Sequence, residues 1–263
     1  MHILLFGDVI GRPGRAALKY VVPQLRKQHH VDLVIANVEN LAHGYGITPE
    51  TITELRDAGV DVFTSGNHIW KNGKGIAYLA TNPDDIIVPA NSSKEQPGRR
   101  YLVKQCGAVS VGILNLFGQL YTPGEFESPF VTFDSFYELY GKNAITIVDL
   151  HAELTGEKRA FGWYVDGRAS IVVGTHTHVQ TADEQIQPGG TAYITDIGMT
   201  GAVDSSLGMD KKLVIQKIAH QQKISLEPPK HPAEVMASGV LVDIDTQTKK
   251  ARSILRIDQK IRL

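Results

Sequence analysis

The strongest constraint in this sequence is where its polar residues fall relative to its apolar runs. Over about the first eighty residues, short apolar runs alternate with helix-like spacings. Residues 2–6 form an apolar run ending at Gly7, a strand candidate. Ala16, Ala17, Leu18, Val21, Val22 and Leu25 recur at helical spacing, which predicts a helix over 15–28 with Pro13 just before it. Residues 31–36 (VDLVIA) read as a buried strand, and 49–58 as a helix capped by Thr48 and stopped by Gly59. Residues 60–64 read as a strand and 73–80 as a short helix. Repeated strand–helix–strand units imply parallel pairing in an α/β sheet.

The second half is richer in strands, with candidates at 100–105, 109–115, 144–150, 170–174, 191–196, 239–245 and 252–257. Helices are expected at 133–140 and 209–220, and loops at 119–129 and 226–232. No repeat, low-complexity tract or linker-like break interrupts the 263 residues, so 1–263 is expected to form a single layered domain.

The polar residues collect at the ends of these strands. Asp8 follows the first, Glu39-Asn40 the second and Asn67-His68 the third. His151 follows the run 144–150, and His176 and His178 follow 170–174. Open α/β sheets bind ligands outside the carboxyl ends of their strands. Each feature alone has an ordinary explanation: a turn before a helix, a hydrogen-bonded histidine, a loop. Their recurrence at five strand ends is the signal. In extended backbone residues i and i+2 share a side, so His176-Thr177-His178 can bring two imidazoles together. Adjacent residues point apart, so Asn67 can bind a metal while His68 faces a substrate. The carboxylate of Glu39 can bridge two ions while the Asn40 amide oxygen binds one.

Composition narrows the chemistry. With one cysteine, Cys106, and ten histidines, an intrachain disulfide or a Cys-rich zinc or iron–sulfur site is excluded. A metal site must use His, carboxylate and amide oxygen. Lys+Arg 27 against Asp+Glu 28 leaves a net charge of −1, so no overall field calls for nucleic acid or membrane as an obligatory partner. No apolar run approaches the roughly 18–20 residues that span a bilayer. The opening MHILLFG lacks the basic start and long apolar stretch of a signal peptide, so a cytoplasmic location is expected.

In order, Gly7-Asp8, Glu39-Asn40, Gly66-Asn67-His68, His151 and Gly174-Thr175-His176-Thr177-His178 resemble the blocks of the calcineurin-like metallophosphoesterase superfamily. The longer strings Gly7-Asp8-Val9-Ile10-Gly11, Asn37-Val38-Glu39-Asn40, Gly66-Asn67-His68-Ile69-Trp70, Asp149-Leu150-His151-Ala152-Glu153 and Asp196-Ile197-Gly198-Met199-Thr200-Gly201 are similar to its YmdB-type branch of bacterial phosphodiesterases. The resemblance covers nearly the whole chain. Two positions depart from the wider superfamily. Ile10 stands where a His is usual, and Glu39 where an Asp usually bridges. Both are the expected variations of this branch, with Asn40 filling the missing coordination position.

The resemblance implies a four-layer α-β-β-α sandwich with mixed sheets. It implies one metal on Asp8, Glu39, Asn40 and His178, and a second on Glu39, Asn67, His151 and His176, with Glu39 bridging. It implies His68 as general acid or transition-state donor, and diester hydrolysis by a metal-activated hydroxide. The substrates implied are cyclic nucleotides, 2′,3′-cyclic first and 3′,5′-cyclic second. Iron is the first metal implied, with manganese and zinc as alternatives. The loop 41–46, with Tyr45, is a candidate pocket lining or an ordinary Gly-rich turn. A homo-oligomer is compatible with the resemblance, and composition does not address it. Competing readings are a phosphomonoesterase or nuclease on the same centre, and a regulatory scaffold acting by protein or RNA contact. A dinucleotide-binding module is a third, but Gly7, Gly11 and Gly14 lack the G-x-G-x-x-G spacing.

Overall fold

The computed structural model describes residues 1–121 and 126–262. The chain begins with β1 (His2–Phe6) and β2 (Asp8–Val9), then α1 (Gly11–His29), β3 (Leu33–Asn37), α2 (Pro49–Asp57), β4 (Val62–Thr64) and α3 (Gly73–Ala80). It continues through β5 (Tyr101–Cys106), β6 (Val109–Phe117), α4 (Pro129–Leu139), β7 (Ile145–His151), α5 (Thr155–Val165) and β8 (Ile171–Thr175). The last elements are β9 (Gln185–Ile186), β10 (Ala192–Ile194), β11 (Met199–Ala202), α6 (Lys211–Ala219), β12 (Glu234–Ile244) and β13 (Ala251–Arg262). Of the loop expected over 119–129, residues 122–125 lie outside the described residues.

Two mixed sheets result. One has the order β2-β11-β12-β1-β3-β4, with β13 on the other edge of β12; the second has the order β5-β6-β7-β8-β10-β9. Strands β1, β3 and β4 run parallel, as do β6, β7, β8 and β10, so their carboxyl ends gather on one rim of each sheet.

The sheets stack face to face. Ile3, Leu5, Leu33 and Ile35 of the first pack with Ile113, Ile147 and Ile171 of the second. The opposite face of β1, Leu4 and Phe6, packs on Leu18, Val22 and Leu25 of α1 and Leu55 of α2. The outer face of the second sheet packs Val148 and Leu150 on Phe133, Phe136 and Phe161 of α4 and α5. Burial on both faces explains why these strands read as continuous apolar runs and not as alternations. Each fully buried Ile or Leu contributes about 1.5–3 kcal/mol. The architecture is the α-β-β-α sandwich.

Local chemistry sets most boundaries. Thr48 caps α2 by accepting from Thr51 N at 3.4 Å, while Thr51 Oγ1 accepts from Thr48 N at 3.0 Å. Asn72 caps α3 through Lys74 N at 3.0 Å. Helix α1 starts at Gly11 and not at 15, because Pro13 sits inside its first turn, where a missing N–H costs nothing. Strand β1 stops at Gly7. A Cβ there would lie 1.8 Å from Gly198 O, and Gly7 N donates instead to Ser238 O at 3.1 Å. One edge of β12 is thereby shared: Gly239–Asp243 pair with β1, while Val235–Ala237 pair with β11. Beyond the break, Asp8 pairs with Met199 of β11. Among the described residues, no helix is long and apolar enough to cross a membrane.

Candidate metal centre

The proposed ligand residues all come to the rim where the two sets of parallel strands end. Glu39 and Asn40 follow β3, Asn67 and His68 open a 3-10 turn (Asn67–Lys71) after β4, and His151 ends β7. Asp8, Glu39, Asn40 and His151 are each at most 1% exposed.

Glu39 stands in the middle. Its Oε2 accepts from His68 N at 3.0 Å and lies 3.2 Å from His151 Nε2. Its Oε1 accepts from Asn40 Nδ2 at 3.0 Å and lies 3.0 Å from His68 Nδ1. On one side, His178 Nε2 lies 3.4 Å from Asn40 Nδ2 and 3.7 Å from Asp8 Oδ1. On the other, His151 Nε2 and His176 Nδ1 are 3.1 Å apart. Glu39, His151 and His176 each offer a ligand atom within 4.8 Å of the others. Glu39, His151 and His176 thus form one cluster, with Asp8, Asn40 and His178 beside it; Asn40 turns its Nδ2 toward Glu39 and His178 and its Oδ1 toward His68.

Two buried oxygens, Asp8 Oδ1 and Asn67 Oδ1, find no hydrogen-bond partner among the described residues. Leaving such oxygens unsatisfied costs about 1–3 kcal/mol each, and a bound cation would satisfy them. Gly66 borders the same space: a Cβ there would lie 2.3 Å from Glu39 Oε2 and 2.4 Å from His151 Nε2. The donor set, hard oxygens with imidazole nitrogens, fits iron, manganese or zinc.

The electrostatics follow from burial and pairing. Burial pushes the Asp8 carboxyl up. Burial opposes ionisation of Glu39 too, but the imidazoles of His151 and His68 hold its carboxyl well below the usual range. Burial drives His151 down, but Glu39, Asp8 and Asp149 outweigh it and raise the ring to about 9. Burial and the neighbouring His151 charge push His176 down to about 3.

The histidine pair reaches the site in a way that differs from the expectation of extended backbone. Strand β8 ends at Thr175, and His176 and His178 are left-handed, with φ of 97° and 65°. Non-glycine residues pay about 1–3 kcal/mol each for such backbone. The neighbours hold it there. His176 N donates to Asp8 Oδ2 at 3.0 Å, and His178 Nδ1 lies 3.0 Å from Leu207 O. Thr177 donates to Asp196 Oδ2 from both N (3.1 Å) and Oγ1 (2.7 Å). The buried Lys158 Nζ donates to the same Asp196 oxygen at 2.8 Å and to Thr175 O at 2.7 Å. Substituting Lys158→Met removes the cation and leaves Asp196 buried and unpaired. Unfolding free energy is expected to fall by about 3–5 kcal/mol. A urea midpoint unchanged from the parent would refute that account.

Several supporting residues carried no assigned role in the sequence reading. Asp149 is the foremost. Its Oδ1 accepts from Thr175 Oγ1 at 2.7 Å, and its Oδ2 from Thr64 Oγ1 at 2.5 Å and Asn37 Nδ2 at 3.0 Å. Thr175 Oγ1 in turn meets His151 Nδ1 at 2.9 Å. Since the hydroxyl donates to Asp149, it accepts from His151 Nδ1–H, which turns Nε2 toward the centre. The signal was available: Asp149 and His151 are two apart in one buried strand, hence on one face. Glu153 Oε2 lies 3.1 Å from His176 Nε2 and plays the matching part there. Ile10, where a histidine is usual, is buried against Met199 and Met209.

A cavity of about 430 Å³ opens over Glu39, Asn40, His68, His176 and His178. Tyr45 lines it, its ring edge-on to His68 with centroids 5.1 Å apart.

The chain is 41% identical to the 2′,3′-cyclic-nucleotide 2′-phosphodiesterase of Bacillus subtilis strain 168, over 98% of this chain and 96% of that one. Its fold matches the crystal structure of a novel phosphatase from Mycoplasma pneumoniae, with TM-score 0.91, 33% identity, and 99% and 93% of the two chains covered. A Staphylococcus aureus protein described as a candidate 5′-nucleotidase shares the fold at TM-score 0.59 and 15% identity, with 98% of this chain and 54% of that one covered. The family model for YmdB-like proteins matches residues 4–257, and the chain belongs to that family.

Proposed function

We propose that the chain is a dinuclear-metal phosphodiesterase that hydrolyses cyclic nucleotides, 2′,3′-cyclic phosphates first and 3′,5′-cyclic phosphates second. The observation that carries this reading is the cluster of Glu39, His151 and His176 with Asp8, Asn40 and His178 beside it, and two buried oxygens, Asp8 Oδ1 and Asn67 Oδ1, left over. One ion would rest on Asp8, Glu39, Asn40 and His178, and the other on Glu39, Asn67, His151 and His176. The name of the Bacillus subtilis relative supports the substrate class. Iron, manganese and zinc all suit the donors. Residues 1–263 act in this reading as one cytoplasmic catalytic unit, since the ligands come from both sheets.

When bound, two ions activate water and offset the charge of the phosphate diester. The chain's own residues do the rest. Asp8 and Glu39 supply anionic donors, and the remaining ligands are neutral, so the centre keeps a positive excess. Asp149, through Thr175, and Glu153 fix the rings of His151 and His176. His68 Nδ1 faces Asn40 Oδ1 at 2.9 Å, which leaves Nε2 toward the cavity. His68 Nε2–H then gives its proton to the departing alkoxide.

The decisive experiment measures metal content and hydrolysis of adenosine 2′,3′-cyclic phosphate, a phosphomonoester and a short RNA on one preparation. Two ions per chain with preference for the cyclic diester is the expected result. Absence of stoichiometric metal after reconstitution would sink the reading. Preference for the monoester or RNA would move it to a phosphatase or nuclease.

A pH effect follows from the metal-free site. His151 keeps a proton below about pH 9 there. An ion taken up on Nε2 must expel that proton. Metal affinity is therefore expected to rise with pH between about 7 and 9, approaching tenfold per unit, with about one proton released per centre filled. Titrating metal-free protein with Mn²⁺ in a pH-stat checks it. A flat affinity without proton release contradicts it.

A further inference from the structure

We infer that an apolar wall over the metal centre seats the nucleobase of the substrate. The inference rests on the cyclic-nucleotide reading above and adds the residues that recognise the organic half of the molecule.

The cavity has two unlike sides. Its floor is the polar ligand cluster, and its wall is made by Tyr45, Leu207, Met209, Val214, Ile218 and Leu226. Helix α6, which supplies Val214 and Ile218, has no buried residue. Ile218 is 73% exposed and Leu207 is 50% exposed. Aliphatic side chains left open beside a polar pocket mark a place that a ligand covers.

The wall is anchored at its base. Tyr45, Val214 and Leu226 pack on the small core of Ile10, Met199 and Met209. It is also tied to the floor at two points. Leu207 O meets His178 Nδ1 at 3.0 Å, and the Tyr45 ring stands against His68. The wall therefore holds a fixed offset from the place where phosphorus must sit. A cyclic nucleotide has a charged end and a flat, apolar-faced end joined by one ribose. The floor matches the first and the wall matches the second. Aliphatic and thioether groups offer area to the face of a base, so the wall selects for a base more than it selects among bases.

The test compares two substrates on the manganese-loaded enzyme: adenosine 2′,3′-cyclic phosphate, and methyl riboside 2′,3′-cyclic phosphate, which lacks a base. The wild type is expected to favour the nucleotide by about thirtyfold or more in kcat/KM. The Ile218→Ser/Leu226→Ser variant is expected to raise KM for the nucleotide about tenfold, with kcat little changed, and to reduce the preference by the same factor. Ile218→Ser alone, at an exposed position, is expected to reduce it about threefold, and serves if the double variant fails to fold. A wild type without preference, or variants that keep the wild-type preference, overturn the wall while leaving the diesterase reading in place. A loaded wild type inert on both substrates overturns both.

Discussion

Replacement of Glu39 by Gln is expected to empty the centre and to lower turnover by about a thousandfold or more, the several kcal/mol that bound metal contributes. The argument is geometric before it is electrostatic. Glu39 lies between the two sets of residues, 3.2 Å from His151 Nε2 on one side and accepting from Asn40 Nδ2 at 3.0 Å on the other. The amide keeps the shape and removes the charge. It also presents an N–H₂ to one ion where the carboxylate had an oxygen. The remaining anionic ligand, Asp8, is too little to hold two cations in a buried site. Elemental analysis after reconstitution reads the outcome directly. Two ions per chain in the Gln variant would end the bridging assignment, whatever its activity.

His68→Ala is expected to behave differently. It should keep its metal and lose about 10²–10⁴ in kcat, the usual span for a general acid. Its backbone N–H, which donates to Glu39 Oε2, survives the substitution, so the bridging carboxylate keeps that support. The loss should be smaller for a diester whose leaving group is a weakly basic phenolate, because such a group departs without a proton. Metal content and kcat for both kinds of leaving group, measured on one preparation, separate proton donation from structural support. Near-normal kcat on the cyclic nucleotide would remove His68 from the chemistry.

The residues explain unevenly how much of this was legible. Strand β1 and helix α3 fall at the expected bounds, because Gly7, Asn72 and Gly73 punctuate clear runs. Helix α5 was not expected. Its inward positions include Glu157 and Lys158 beside Phe161 and Val165, while Trp163 and Tyr164 are exposed, so the polarity pattern on which periodicity depends is broken. The cause lies in the site: Lys158 is buried in order to hold the histidine turn. Strand β11 was also missed, being four residues long with a glycine inside. Strand β13 runs on to Arg262, beyond the expected 257, because its mostly exposed side chains carry little apolar signal. The candidate residues could be picked out at strand ends and the ligand set followed from the resemblance; the structure brings Glu39, His151 and His176 within 4.8 Å of one another. The left-handed turn at His176 and His178 could not be foreseen, since it is imposed by Asp8, Asp196 and Lys158 from distant parts of the chain.

The shared edge of β12 has a consequence for how such an enzyme comes into being. His2 pairs with Asp243 and Leu5 with Val240, and the break at Gly7 leans on Ser238. A nascent chain that stops short of β12 already carries every proposed ligand, but it lacks the strand whose one edge joins β1 to β11. Closure between such remote segments is also slow compared with local helix formation. Chains truncated before β12 are therefore expected to lose activity even with their motif residues intact, because the first sheet is left without the strand that joins its two halves.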